Sequence, residues 1–130
     1  MAVSIQYGKT GLEFHIPAGI EPTIISPVYE AAVPDPEQVL ERALRDPVDS
    51  PALRDVVSPA DTVGIVVNDI TRATPYRTIL PVLLREVRAR SPRDVTIFVA
   101  TGTHRADTDD ELEAMLGADV MSSCSVVQNN

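Results

Sequence analysis

Two short polar clusters hold the residue types that could carry chemistry: Asn68-Asp69-Ile70-Thr71-Arg72 and, further along the chain, Thr101-Gly102-Thr103-His104-Arg105. Histidine is the side chain best placed for proton transfer near neutral pH, and arginine can grip a carboxylate through two parallel hydrogen bonds. If the two clusters face one crevice, Asp69, Arg72 and His104 come within reach of a single ligand, giving a carboxylate clamp beside a base. Other chemistries lack their residues. The chain has no P-loop lysine pattern, no G-x-G-x-x-G, no G-x-S-x-G and no H-E-x-x-H. Its two histidines, His15 and His104, stand far apart in sequence, so a complete metal site is not expected.

Each candidate also has a plainer reading. Asp69 could cap its loop or close an Asx turn. Arg72 could pair with Asp69, which contributes little if the pair is exposed. His104 lies in a polar loop and not on an apolar face, which weakens the reading of a packed core histidine. Arg105 reads as a solvated or ion-pairing loop residue, His15 as structural, Lys9 as an exposed turn residue and Cys124 as a small buried one.

The elements around these clusters explain why they matter. Thr62–Val67 and Val95–Ala100 are β-branched apolar runs, as expected of parallel strands buried on both faces. Ligands of open parallel sheets bind outside the carboxyl ends of the strands, where both clusters fall. Thr74-Pro75 is expected to cap a helix carrying Ile79, Leu80, Val82, Leu83, Leu84 and Val87, with Pro81 kinking or restarting it. Thr108-Asp109-Asp110-Glu111 is a capping box that opens a helix closing at Gly117. Val126-Val127 reads as a third strand. Upstream, Asp35-Pro36-Glu37-Gln38 combines an N-cap, a first-turn proline and a glutamine at the third helical position, predicting a helix of about ten residues. Ser50-Pro51 repeats the signature for a short helix with Leu53, Val56 and Val57. At the start, Val3, Ile5 and Tyr7, then Leu12, Phe14 and Ile16, alternate around Gly8-Lys9-Thr10-Gly11, which predicts a hairpin.

The expected fold is therefore α/β: a Rossmann-like parallel sheet with flanking helices plus an N-terminal β-hairpin. Residues 1–16 form the hairpin, 17–35 a proline-rich extended connector draped over the core, and 36–130 the α/β core. At 130 residues this is one domain. The net charge of −8 rests on ten arginines and a single lysine against 19 acids, which disfavours nucleic-acid and anionic-membrane partners. One cysteine excludes an internal disulfide and fits a reducing cytoplasm. The opening residues alternate, unlike a signal peptide, and no apolar run is long enough for a membrane span.

Asn68-Asp69-Ile70-Thr71-Arg72 and Ala100-Thr101-Gly102-Thr103-His104-Arg105, in this order and with this separation, resemble the N-terminal domain of the nickel-dependent lactate racemase family. Tyr7-Gly8-Lys9 and Ile79-Leu80-Pro81 also fit. The resemblance implies a racemase or epimerase of small 2-hydroxy acids that uses a nickel-pincer nucleotide. A histidine takes the hydroxyl proton as the C2 hydride leaves, and hydride return to the other face inverts the centre. It implies that His104 is one of two acid/base histidines, that Arg72 holds the substrate carboxylate, and that Asp69 and Thr71 contact cofactor or substrate. The family's second histidine, its attachment lysine and its nickel histidine belong to a later segment, so the C-terminal domain is read as absent and the chain as truncated at Asn130. By itself the chain is expected to bind no cofactor, to be inactive, and to self-associate through exposed surfaces, which light scattering over a range of concentrations checks. The alternative is a non-catalytic α/β module that binds a nucleotide or small carboxylate through the same loops.

Overall fold

A computed structural model describes residues 1–129; Asn130, the last residue of the expected core, lies outside the described residues. The chain divides into two compact units, Met1–Ala32 and the remainder from Val33. In the first unit, β1 (Ala2–Ile5) and β2 (Leu12–His15) pair antiparallel with Ile5 opposite Leu12, which is the expected hairpin. His15 is exposed, and residues 17–35 form neither helix nor strand.

The second unit is built on three parallel strands: β3 (Thr62–Asn68), β4 (Asp94–Ala100) and β5 (Ser125–Gln128), with β4 in the centre. Among the described residues five helices accompany them, α1 (Pro36–Arg45), α2 (Leu53–Val56), α3 (Tyr76–Arg88), α4 (Asp109–Leu116) and α5 (Ala118–Ser123). The α/β class, the parallel sheet and the hairpin thus match expectation. Helix α5 was not foreseen from its short Ala-Asp-Val-Met-Ser-Ser sequence.

Burial on both faces of the strands is corrected. Val67, Ile97 and Val99 are buried, whereas Val66 is 71% and Phe98 43% exposed. The reason is one-sided cover: the core joins Val67, Ile97 and Val99 to Tyr76, Leu80 and Leu84 of α3, Leu112 and Leu116 of α4 and Val120 of α5. Helices α1 and α2 pack on α3 instead of on the open face of the sheet. On that open face Gly64 gives room to the Phe98 ring, whose edge would lie 3.2 Å from an added Cβ.

The caps show where local signals were and were not followed. Asp35 accepts from Gln38 N–H at 3.0 Å and opens the ten-residue α1 as expected. Ser50 does not cap: its hydroxyl bonds to Pro51 O, and α2 begins later, at Leu53. Thr74 does not cap α3 either, because its hydroxyl donates to Asn68 Oδ1 at 3.1 Å. Pro81 neither ends nor restarts α3. It is exposed and lies in the second turn, so the one carbonyl it leaves unbonded, that of Arg77, can turn to water.

Candidate functional site

Parallel pairing sets the site. Asn68 of β3 lies in register with Ala100 of β4, so the loops that follow the two strands leave the sheet side by side. The first loop turns at once through Asp69, whose Oδ1 accepts from Thr71 N–H at 3.2 Å and from Thr71 Oγ1 at 2.6 Å. This is the Asx turn of the plainer reading. The other oxygen, Oδ2, lies 2.5 Å from His104 Nδ1 across the crevice. One carboxylate therefore serves both readings, with one oxygen for each.

The second loop is shaped to deliver His104. Gly102 has φ +60°, a left-handed conformation that favours glycine, and His104 N–H donates to Thr101 O at 3.0 Å to close the turn. Thr101 is buried and anchors the loop start through its hydroxyl to Asn129 O at 2.9 Å. Beyond His104, Arg105 grips both oxygens of Glu111, at 2.7 and 2.8 Å, and so takes the ion-pairing role read for it. Glu111 completes the expected capping box with Thr108 at the start of α4. The histidine is thus held at both ends of its loop.

Electrostatics follow the bonds. The Thr71 hydroxyl and then the His104 ring hold the Asp69 carboxyl below its ordinary 3.8, against an opposing effect of burial. Asp69 is ionised at neutral pH, so the proton between it and His104 belongs on Nδ1. In the neutral ring the lone pair is then on Nε2, on a side chain that is 47% exposed. Glu111 is lowered from 4.5 to about 2, chiefly by Arg105. A carboxyl lowered by folding stabilises the fold above its ordinary pKa and loses that contribution as pH falls to the lowered value. Glu111→Gln is therefore expected to destabilise the chain at pH 7, with the difference from wild type vanishing between about pH 4.5 and 2. Denaturant titrations at both ends of that window check it, and a constant difference would refute it.

The structure brings Asp69, Thr71 and His104 together but places Arg72 otherwise. Both Asp69 oxygens are taken, so the expected alternative of an Arg72–Asp69 ion pair is corrected: only the Arg72 backbone N–H reaches Asp69, at its carbonyl, 3.2 Å away. Its guanidinium is exposed and makes no ion pair among the described residues. It lines a neighbouring groove of about 290 Å³ with Ile70, Thr74, Tyr76, Arg77 and Met115. Cys124 is half-buried, not buried, and receives an Arg88 N–H at 3.0 Å.

Other residues of the site were missed or left unassigned. Tyr76 OH accepts from Asn68 N–H at 2.8 Å and donates to Asn68 Oδ1 at 2.6 Å, tying the end of β3 to the start of α3. Tyr76 is not among the residues singled out from the sequence, where the helix is read from its apolar positions from Ile79 onward. Asp107 is buried and accepts from Ile70 N–H at 3.3 Å, and nothing in its immediate sequence distinguishes it from the neighbouring acids.

Comparison with known proteins decides the family. A family model described as the lactate racemase N-terminal domain matches residues 7–130. The chain belongs to that family. It is 33% identical over 125 residues to a lactate racemase of Thermoanaerobacterium thermosaccharolyticum, covering 93% of this chain and 29% of the relative. It is 32% identical over 94 residues to a lactate racemase of Lactiplantibacillus plantarum, covering 72% of this chain and 22% of the relative. The family member described here thus spans less than a third of the length of these curated relatives. The solved lactate racemase apoprotein from T. thermosaccharolyticum superposes with a TM-score of 0.74 at 32% identity, over all of this chain and 30% of that one. A crystal structure of a Thermotoga maritima protein shares the fold, with a TM-score of 0.57 at 24% identity, covering 78% of this chain and 23% of that one. Among the described residues no helix is long and apolar enough to cross a membrane.

Proposed function

We propose that these residues form the proton-transfer and carboxylate-binding part of a cytoplasmic racemase or epimerase, acting on a small 2-hydroxy acid by hydride loss and return at C2. One observation carries the proposal: His104 Nδ1 lies 2.5 Å from a buried, ionised Asp69 at the carboxyl ends of two parallel strands. Family membership, and relatives that are lactate racemases, support a substrate of this class.

The chemistry of the side chains runs as follows. His104 accepts the substrate hydroxyl proton at Nε2, and Asp69 stabilises the imidazolium that forms, as a carboxylate does for a base it orients. Removing that proton raises electron density on the C2 oxygen and weakens the C2–H bond towards hydride loss. The imidazolium returns that proton when hydride goes back to the face it left; when hydride returns to the other face, the C2 oxygen takes its proton from the second histidine that the resemblance implies. Arg72 binds the carboxylate of the substrate, and Thr71, bonded to Oδ1, leaves Oδ2 of Asp69 for His104.

The nickel-pincer nucleotide implied by the resemblance would supply the hydride acceptor. Among the described residues no three His, Cys, Asp or Glu side chains converge on a metal position. The single lysine, Lys9, lies in the hairpin turn. These residues do not form a nickel site, and only the proton and carboxylate roles are assigned to them.

The test is racemisation of lactate by the protein and its Arg72 variants. A charge-assisted hydrogen bond contributes about 1.5–3 kcal/mol, so Arg72→Ala is expected to raise KM for lactate about 10- to 100-fold. Arg72→Lys is expected to restore little of it, because an ammonium cannot make the paired contact. An unchanged KM in steady-state racemisation assays would remove Arg72 from the site.

A further inference from the structure

We propose that Asp107, clasped by Gln128, is a positioning residue that sets the separation of the two loops and so holds Asp69 against His104. The inference rests on the reading of His104 as a base. Asp107 is only 7% exposed and lies three residues beyond His104 in the same loop. Its Oδ2 accepts from Ile70 N–H, the residue next to Asp69 in the other loop, at 3.3 Å.

The backbone of Asp107 is fixed independently. Gln128 of β5 accepts its N–H at 2.8 Å and donates to its carbonyl at 2.9 Å. A side-chain amide here pairs as a neighbouring strand would, tying the loop to the sheet. The contacts close a ring: Asp107 to Ile70, Ile70 along the chain to Asp69, Asp69 to His104, and His104 back along three residues to Asp107, with Gln128 fixing Asp107 from outside the ring. A ring of hydrogen bonds restricts the His104–Asp69 separation more than the two loops could separately. Asp107 touches no reacting group in this scheme; it acts through Asp69 and His104.

The experiment reads the ring nitrogens of His104 by ¹⁵N NMR in the full chain, with folding followed by circular dichroism. Wild type is expected to show neutral His104 protonated at Nδ1. Asp107→Ala is expected to shift it towards the Nε2-protonated form that a free imidazole prefers, and Asp107→Asn, which keeps an acceptor for Ile70 N–H, to retain the wild-type pattern. Gln128→Ala should shift the pattern in the same direction as Asp107→Ala, and it decides the matter if Asp107→Ala fails to fold. A folded Asp107→Ala chain with an unchanged Nδ1 pattern would overturn the proposal, as would loss of the pattern in Asp107→Asn.

In the racemase, a displacement of this kind is expected to lower kcat about 10²-fold with KM for lactate unchanged. An unchanged kcat also counts against it. If the tautomer responds to Asp107 while His104→Ala keeps full activity, the base assignment fails and the positioning role stands.

Discussion

Replacing His104 by alanine is expected to lower racemisation about 10²–10⁴-fold, the usual contribution of a positioned acid/base group. The drop should fall on kcat, because Arg72 and not His104 is assigned the carboxylate. Folding should be little affected: the ring is 47% exposed, and its described contact is the one to Asp69. Asp69→Asn separates two roles of the carboxylate. An amide can still accept from Thr71 and keep the turn, but its NH₂ facing Nδ1 would force the ring proton onto Nε2 and occupy the position that must accept. A loss approaching that of His104→Ala is therefore expected, with the loop intact. Asp69→Ala removes the turn as well and should also loosen the loop. Racemisation rates of the three variants, measured beside their thermal melts, decide the matter. If His104→Ala kept more than a tenth of the wild-type rate, His104 would not be the base.

Much of this site could be read from residue types because the two loops begin at matched positions of adjacent parallel strands. The runs Thr62–Val67 and Val95–Ala100 are strands, and once Asn68 and Ala100 stand in register, Asp69 and His104 must emerge side by side. Sequence alone could not tell which partner Asp69 would choose, since Arg72 is near in the chain and His104 is near only in space. The same limit explains Thr74, a good local cap diverted to Asn68 by tertiary contact. It also explains Asp107 and Gln128, whose pairing spans 21 residues and leaves no local pattern. Burial was overestimated for a different reason. Val63, Ile65 and Val67 alternate with Gly64 and Val66, so the strand looks apolar on both sides, and only the placement of the helices shows which side is covered.

That asymmetry leads to the largest stability effect expected of a single core substitution. Ile97 is fully buried at the centre of β4, in register with Ile65 of β3 and Val126 of β5. Truncation to alanine removes three carbon atoms from a site enclosed by both neighbouring strands and the helices above, leaving a cavity that the surroundings cannot close. Ile97→Ala is expected to cost about 2–5 kcal/mol, a large share of a typical folding free energy of about 5–15 kcal/mol. Val66→Ala, in the adjacent strand but on the open face and 71% exposed, is expected to cost no more than about 0.5 kcal/mol. Paired denaturant titrations of the chain give both values. The contrast also tests the architecture, because equal costs would mean that the open face is covered in solution. If Ile97→Ala remains folded, His104 should keep its Nδ1 proton, since the Asp69–His104 and Asp107–Ile70 bonds lie beyond the ends of β3 and β4, Gln128 is the last residue of β5, and a cavity at the centre of β4 breaks none of their contacts.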